Sequence, residues 1–430
     1  MFIFYDLIFL LVAIILLPKY LLKRKFRSAF LSRLGQLPEG LSLDRPIWIH
    51  AVSVGEVMAV RGLIDELRKA YPQKKFVIST VTATGNKIAN SLAKPGDLVT
   101  YLPLDLSFIV KGLINKIDPI AFVVVETEIW PNLFSCLYKK GIPVVTVNGR
   151  ISDSSFRGYS RIKFLLKPIL NRVSVFCVQT TADAQRLKSL GVAEDKIRVT
   201  GNVKFDIRPY SGVDSSSVRK RLGITVGYKL LVAGSTHQGE EEIILAVYKQ
   251  LLKVHPDLRL LLAPRHPERA QEVGRLVLSC GFEPVFISKL SQLPNTYRLP
   301  PVFILDTIGQ LMDYYAAADI VFVGGSLIEK GGHNILEPAS LNKPILFGPH
   351  MFNFREITEL FLENKSAVMV RNGQELSGQL EVLLVDPFKR EDLGSRSSRL
   401  LRQNQGATKR NLEFIKSALT INQDIKGKKG

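Results

Sequence analysis

The chain is predicted to be an α/β protein built as two Rossmann-like domains, on the strength of three observations. From Pro46 onward, short β-branched runs alternate with amphipathic helical stretches. The alternation pauses once near the middle and then restarts. At 430 residues the chain also exceeds the size at which one hydrophobic core stops growing, which favours two domains and an appendage.

In the first round, residues 47–51, 75–80, 98–102, 121–125, 144–148 and 173–178 read as strands, their apolar continuity being that of parallel strands covered on both faces. Between them, residues 56–71 place Val57, Val60, Ile64 and Leu67 on one helical stripe. Residues 206–220, with Pro209, Gly212 and a run of serines, read as a linker. The second round places strands at 229–233, 258–263, 284–287, 301–305, 319–323 and 344–347. Open α/β sheets bind ligands beyond the carboxyl ends of their strands, so two such domains are expected to direct those ends toward a shared cleft.

Phe2 to Leu17 is almost unbroken hydrocarbon apart from Asp6, and the basic run from Lys19 to Arg27 follows at once. The apolar stretch is short for a span of about 20 residues, so it reads as an anchor, spanning or interfacial. A secretory signal carries its charges ahead of its apolar core, and the order here is the reverse. The positive-inside tendency then keeps the body of the protein in the cytoplasm. With 58 basic and 39 acidic residues the net charge is +19, which calls for a polyanionic partner. No aromatic nucleic-acid platform or zinc knuckle is present, so an anionic membrane surface or a phosphorylated substrate is favoured over nucleic acid. Three scattered cysteines indicate buried thiols.

Polar residues at strand ends carry the candidate chemistry. His50-Ala-Val-Ser53-Val-Gly-Glu56 leads from a strand into a helix; Glu56 is either a favourable first-turn carboxylate or a general base for a hydroxyl nucleophile. Glu126-Thr-Glu128-Ile-Trp-Pro follows the strand at 121–125; one carboxylate is suited to orient or share protons with the base, the other to cap the helix near Pro131. Arg150, at another strand end, is a fork for phosphate or carboxylate, or else a surface ion-pair partner. In the second half, Gly234-Ser235-Thr236-His237 reads as a backbone cradle with hydroxyl donors, and Arg265-His266 places a guanidinium toward a nucleotide phosphate. Gly331-Gly332-His333-Asn334-Ile-Leu-Glu337 follows a strand ending in glycines. Its unpaired N–H groups suit a phosphate, while Asn334 and Glu337, three residues apart, suit a ribose. No zinc-hydrolase motif, phosphate loop, serine elbow or Asp-x-Asp pair occurs, so neither metal nor cofactor is expected.

Taken in order, these motifs resemble the 3-deoxy-D-manno-octulosonic acid (Kdo) transferase family. The residues that carry the resemblance are Arg33-Leu-Gly35, Ser53 to Glu56, Glu126 to Asn132, Gly201-Asn202-Val-Lys204-Phe-Asp206, Gly234 to His237, Pro264 to Arg269, Gly331 to Pro338 and Phe347 to His350. The resemblance implies a glycosyltransferase of two Rossmann-like domains (GT-B type), inverting and metal-independent. It would move Kdo from CMP-Kdo to the lipid A precursor at the cytoplasmic face of the bacterial inner membrane. It divides the chain into an anchor and basic flank (1–27), an acceptor domain (28–208), a donor domain (209–402), a helix returning to the first domain (403–420) and a basic tail (421–430). Glu56 is then the base and Glu126 essential beside it. Ser235, Arg265, His266, Gly332, His333, Asn334 and Glu337 would hold the donor. Ser53, Glu128, Arg150, Asn202 and Lys204 are candidates for contact with Kdo or acceptor. The competing readings are a UDP-sugar transferase on the same scaffold and a non-catalytic nucleotide-sugar-binding membrane protein.

Overall fold

A computed structural model describes residues 5–7, 9–11, 30–38, 40–207, 209–292 and 302–427. The chain divides into two compact units, one of residues 1–206 and 404–430, the other of residues 207–403.

The first unit holds seven parallel strands: β1 (Ile47–His50), β2 (Phe76–Thr80), β3 (Leu98–Tyr101), β4 (Ala121–Val125), β5 (Val144–Gly149), β6 (Val175–Val178) and β7 (Ile197–Val199). Their order is β3-β2-β1-β4-β5-β6-β7, so chain direction across the sheet reverses between β1 and β4. β1, β2 and β4 are buried at every position, as parallel strands covered on both faces must be. One face packs Trp48, Phe122 and Phe134. The other packs Ile49, Ile78 and Val123, and there the C-terminal helix Ala407–Gly427 contributes Leu412, Ile415, Ala418 and Leu419. Asp206 fixes the start of that helix by accepting the N–H groups of Gly406 (2.6 Å) and Thr408 (2.5 Å).

The second unit repeats the plan with β8 (Lys229–Thr236), β9 (Leu258–Pro264), β10 (Pro284–Phe286), β11 (Val302–Ile304), β12 (Ile320–Val323), β13 (Ile345–Phe347) and β14 (Val368–Met369). The order β10-β11-β9-β8-β12-β13-β14 puts its reversal between β8 and β12.

Several expectations change. The helix expected over 56–71 is two, Val54–Ala59 and Arg61–Ala70, broken at Val60. The serine run read as linker forms the helix Ser215–Arg221, because the Asp214 carboxylate accepts the Ser217 N–H at 3.2 Å. Helical backbone continues to Gly427, through most of the segment read as a tail. The anchor and its basic flank lie largely outside the described residues. Among the described residues no helix is long and apolar enough to cross a membrane. The described part includes Asp6, whose carboxylate accepts the Ser107 N–H at 3.1 Å and Asn132 Nδ2 at 2.7 Å. The one charge in the apolar stretch is thus a cap for the helix Ser107–Ile117.

Candidate active site

The motifs at residues 53–56 and 126–128 in the first sheet, and at 234–237 and 331–337 in the second, end or follow the strands on either side of the reversal point, where diverging loops leave room for a ligand. In the first unit, Ser53 and Glu56 follow β1 while Glu126 and Glu128 follow β4. Glu56 occupies the first turn of its helix. Its Oε2 accepts the Val52 N–H at 2.7 Å and its Oε1 accepts Ser53 Oγ–H at 3.1 Å. The first-turn reading of Glu56 holds, since its carboxylate is tied to its own helix start. Burial, opposed by the Val52 N–H and reinforced by the charge of Glu126, pushes its pKa up to about 7. Burial and then Glu126 also raise Glu128. Glu126 adopts a left-handed backbone, φ 59°, in which its N–H still pairs with Val147 O at 2.9 Å. A non-glycine residue held there is the kind of strain that functional sites retain.

Glu126 and Glu128 do not cap the helix Pro131–Lys139. Asp105 does, accepting the N–H groups of Asn132 (3.1 Å) and Leu133 (2.9 Å). Arg150 is exposed beyond β5, and its N–H donates to Thr127 Oγ1 at 3.0 Å. Asn202 Oδ1 accepts the Lys204 N–H at 2.9 Å, and the neighbouring Val203 N–H donates to Asn148 Oδ1 at 3.1 Å, so Asn202 serves the turn itself. Lys204 is half-buried on that turn.

The second unit corrects the expected cradle. The N–H groups of Gly325, Ser326 and Leu327, at the glycine-rich end of β12, are taken by the buried carboxylate of Glu240 at 2.7, 3.0 and 2.9 Å. The Gly332 N–H goes to Gly325 O at 2.8 Å. Gly332 is itself structural, since its φ is 69° and a Cβ there would lie 2.0 Å from Met351 Sδ. The hydroxyl of Thr236 is also committed, donating to Glu241 at 3.0 Å, and Glu241 pairs with Arg269 at 3.0 Å.

Other expected residues do converge. Asn334 Nδ2 donates to Glu337 Oε1 at 3.3 Å, and burial raises the Glu337 pKa. Ser235 is left-handed, φ 58°, beside Gly234, where a Cβ would strike the Tyr315 hydroxyl. Arg265 and His266 are exposed at the end of β9, with the Arg265 charge felt by both His333 and Glu337. His237 meets His333. Among the described residues no three His, Cys, Asp or Glu side chains are grouped to hold a metal ion. A cavity of about 560 Å³ lies at the opposite, amino ends of β5 and β6, lined by Tyr138, Arg172, Lys196 and Phe414, away from all of these groups.

The profile of a family described as 3-deoxy-D-manno-octulosonic-acid transferase (kdotransferase) matches residues 28–207. The 3-deoxy-D-manno-octulosonic acid transferase of Haemophilus influenzae is 37% identical over 382 residues, covering 87% of this chain and 88% of that protein. This chain belongs to the Kdo transferase family. As a Kdo transferase it is a glycosyltransferase of lipopolysaccharide biosynthesis. The family member from Chlamydia pneumoniae is 28% identical across 97% of this chain and 96% of its own length. A glycosyltransferase from Rickettsia africae shares the fold, with TM-score 0.55 and 14% identity over 87% of this chain and 99% of that one.

Proposed function

We propose that the protein transfers Kdo from CMP-Kdo to the lipid A precursor (lipid IVA), with inversion and without a metal, at the cytoplasmic face of the inner membrane. Glu56 carries the reading. A carboxylate with a pKa of about 7, oriented by two hydrogen bonds at a sheet reversal, is matched to removing a proton from a sugar hydroxyl near neutral pH. Glu56 takes the proton of the acceptor's primary hydroxyl as that oxygen attacks the anomeric carbon. Burial first, and the charge of Glu126 after it, raise Glu56 so that it is basic enough to act. In the second unit Arg265 supports the phosphate and Glu337, held by Asn334, accepts from the ribose hydroxyls. The basic surface, net +19, supports residence on anionic lipid.

The test is transfer by purified, detergent-solubilised protein to tetra-acylated lipid A precursor, with CMP-Kdo generated in place and chelator present. Mass gains of one or more Kdo units support donor, acceptor and metal independence together, and the anomeric configuration of the product, read by NMR, decides inversion. Consumption of a UDP-sugar with no use of CMP-Kdo would move the protein to another donor.

A further inference from the structure

Two imidazoles in the second unit meet head to head. His237 follows β8 and His333 lies in the segment after β12; their Nε2 atoms are 2.9 Å apart, with the ring planes within 5° of parallel. At that separation one Nε2 carries a hydrogen and the other offers a lone pair, since two bare nitrogens repel and two N–H groups collide. The pair therefore titrates as a unit.

The groups around it are cationic. Arg265, His266, Arg269 and Lys330 act on His237, whose ring is 6.0 Å from that of His266, and Arg265 and His266 act on His333. The carboxylates of this region are tied elsewhere, Glu240 to three N–H groups and Glu241 to Thr236 and Arg269, while Glu337 is held by Asn334 and turned to the ribose in the donor reading above. Glu268 stands 3.9 Å from His266. Burial and then these positive neighbours lower both histidines, His333 to about 4. A phosphate bound beside these cations reverses the balance by favouring the protonated pair.

We propose that His237 and His333 act together as the acid that protonates the departing phosphate oxygen. This rests on the donor reading above. With the donor bound the pair is a monocation: each Nδ1 carries a hydrogen and a third hydrogen lies between the two Nε2 atoms. The acceptor oxygen forms its bond to the anomeric carbon and yields its proton to Glu56. The anomeric carbon–oxygen bond to phosphate breaks, its electron pair stays on that oxygen, and one Nδ1 hydrogen moves there. The shared hydrogen settles on one ring, and the pair is neutral again. A site arranged in this way neutralises the leaving group with a proton held by two side chains.

The experiment is calorimetric titration of the full-length protein with CMP near neutral pH, above the second phosphate pKa of about 6, in two buffers of different ionisation enthalpy. Proton uptake on CMP binding is expected, together with its loss in His237→Gln and His333→Gln variants that still bind CMP. Each variant should also lose kcat by about 10²–10⁴-fold with KM little changed. CMP binding without proton uptake overturns the pair and leaves the donor reading standing; no CMP binding at all removes both. If a variant fails to fold, nitrogen NMR of the wild-type histidines reads the same proton. Two rings titrating together and shifting upward with CMP support the pair, and independent titration unmoved by CMP overturns it.

Discussion

Glu56 shows how one residue serves fold and chemistry with the same two hydrogen bonds, because the contacts that finish its helix also aim its carboxylate. Glu56→Gln should keep nucleotide binding and lower kcat by at least about 100-fold. The base works ionised, so the rate of the wild type should rise with pH through about 7. Glu126→Gln removes a repelling charge and should move that limb to lower pH. Ser53→Ala removes a hydrogen bond to the ionised form and should move it higher. Stability runs the other way. From pH 4.5 to about 7 the folded state keeps a proton that the unfolded state has released, so the Glu56 contribution declines as pH rises across that window.

At the scale of elements, the strands were legible because burial on both faces writes them as apolar runs, and twelve of the fourteen were read near their observed places. The two missed, Ile197–Val199 and Val368–Met369, are short, incompletely buried edge strands with little apolar signal. The candidate site was legible where a motif contains its own partners, as in Ser53 with Glu56 and Asn334 with Glu337. It was not legible where the partner comes from elsewhere in the chain. Asp105 caps a helix 27 residues on, and Glu240 fills a backbone cradle 85 residues on that the glycines alone had assigned to a ligand. Glu240→Ala should strand three buried N–H groups and destabilise the second unit by at least about 3 kcal/mol, whereas Glu240→Gln, which keeps an acceptor, should cost about 1–3 kcal/mol. Chemical denaturation of the two variants against wild type measures the difference.

At the scale of the molecule, charge and chain order matter most. A net charge of +19 should give binding to vesicles containing anionic lipid that weakens steadily as salt is raised from about 0.05 to 0.5 M, since the screening length shrinks over that range. Flotation assays at several salt concentrations would check it, and salt-independent binding would assign attachment to the apolar N-terminus instead. Deleting residues after Asn404 removes Leu412, Ile415, Ala418 and Leu419 from the first unit's core. The truncated protein should be insoluble or lose its cooperative unfolding transition, measured by circular dichroism.

That last helix gives the molecule a built-in check on completeness. Residues 207–403 interrupt the first unit in sequence, so the stretch of chain that bears Glu56 is made early but cannot close its core until Ala407 and the residues beyond it have left the ribosome. A message cut short anywhere in the second unit leaves uncovered the apolar face of β5 and β6 that this helix packs against, and chaperones and proteases act on such open states.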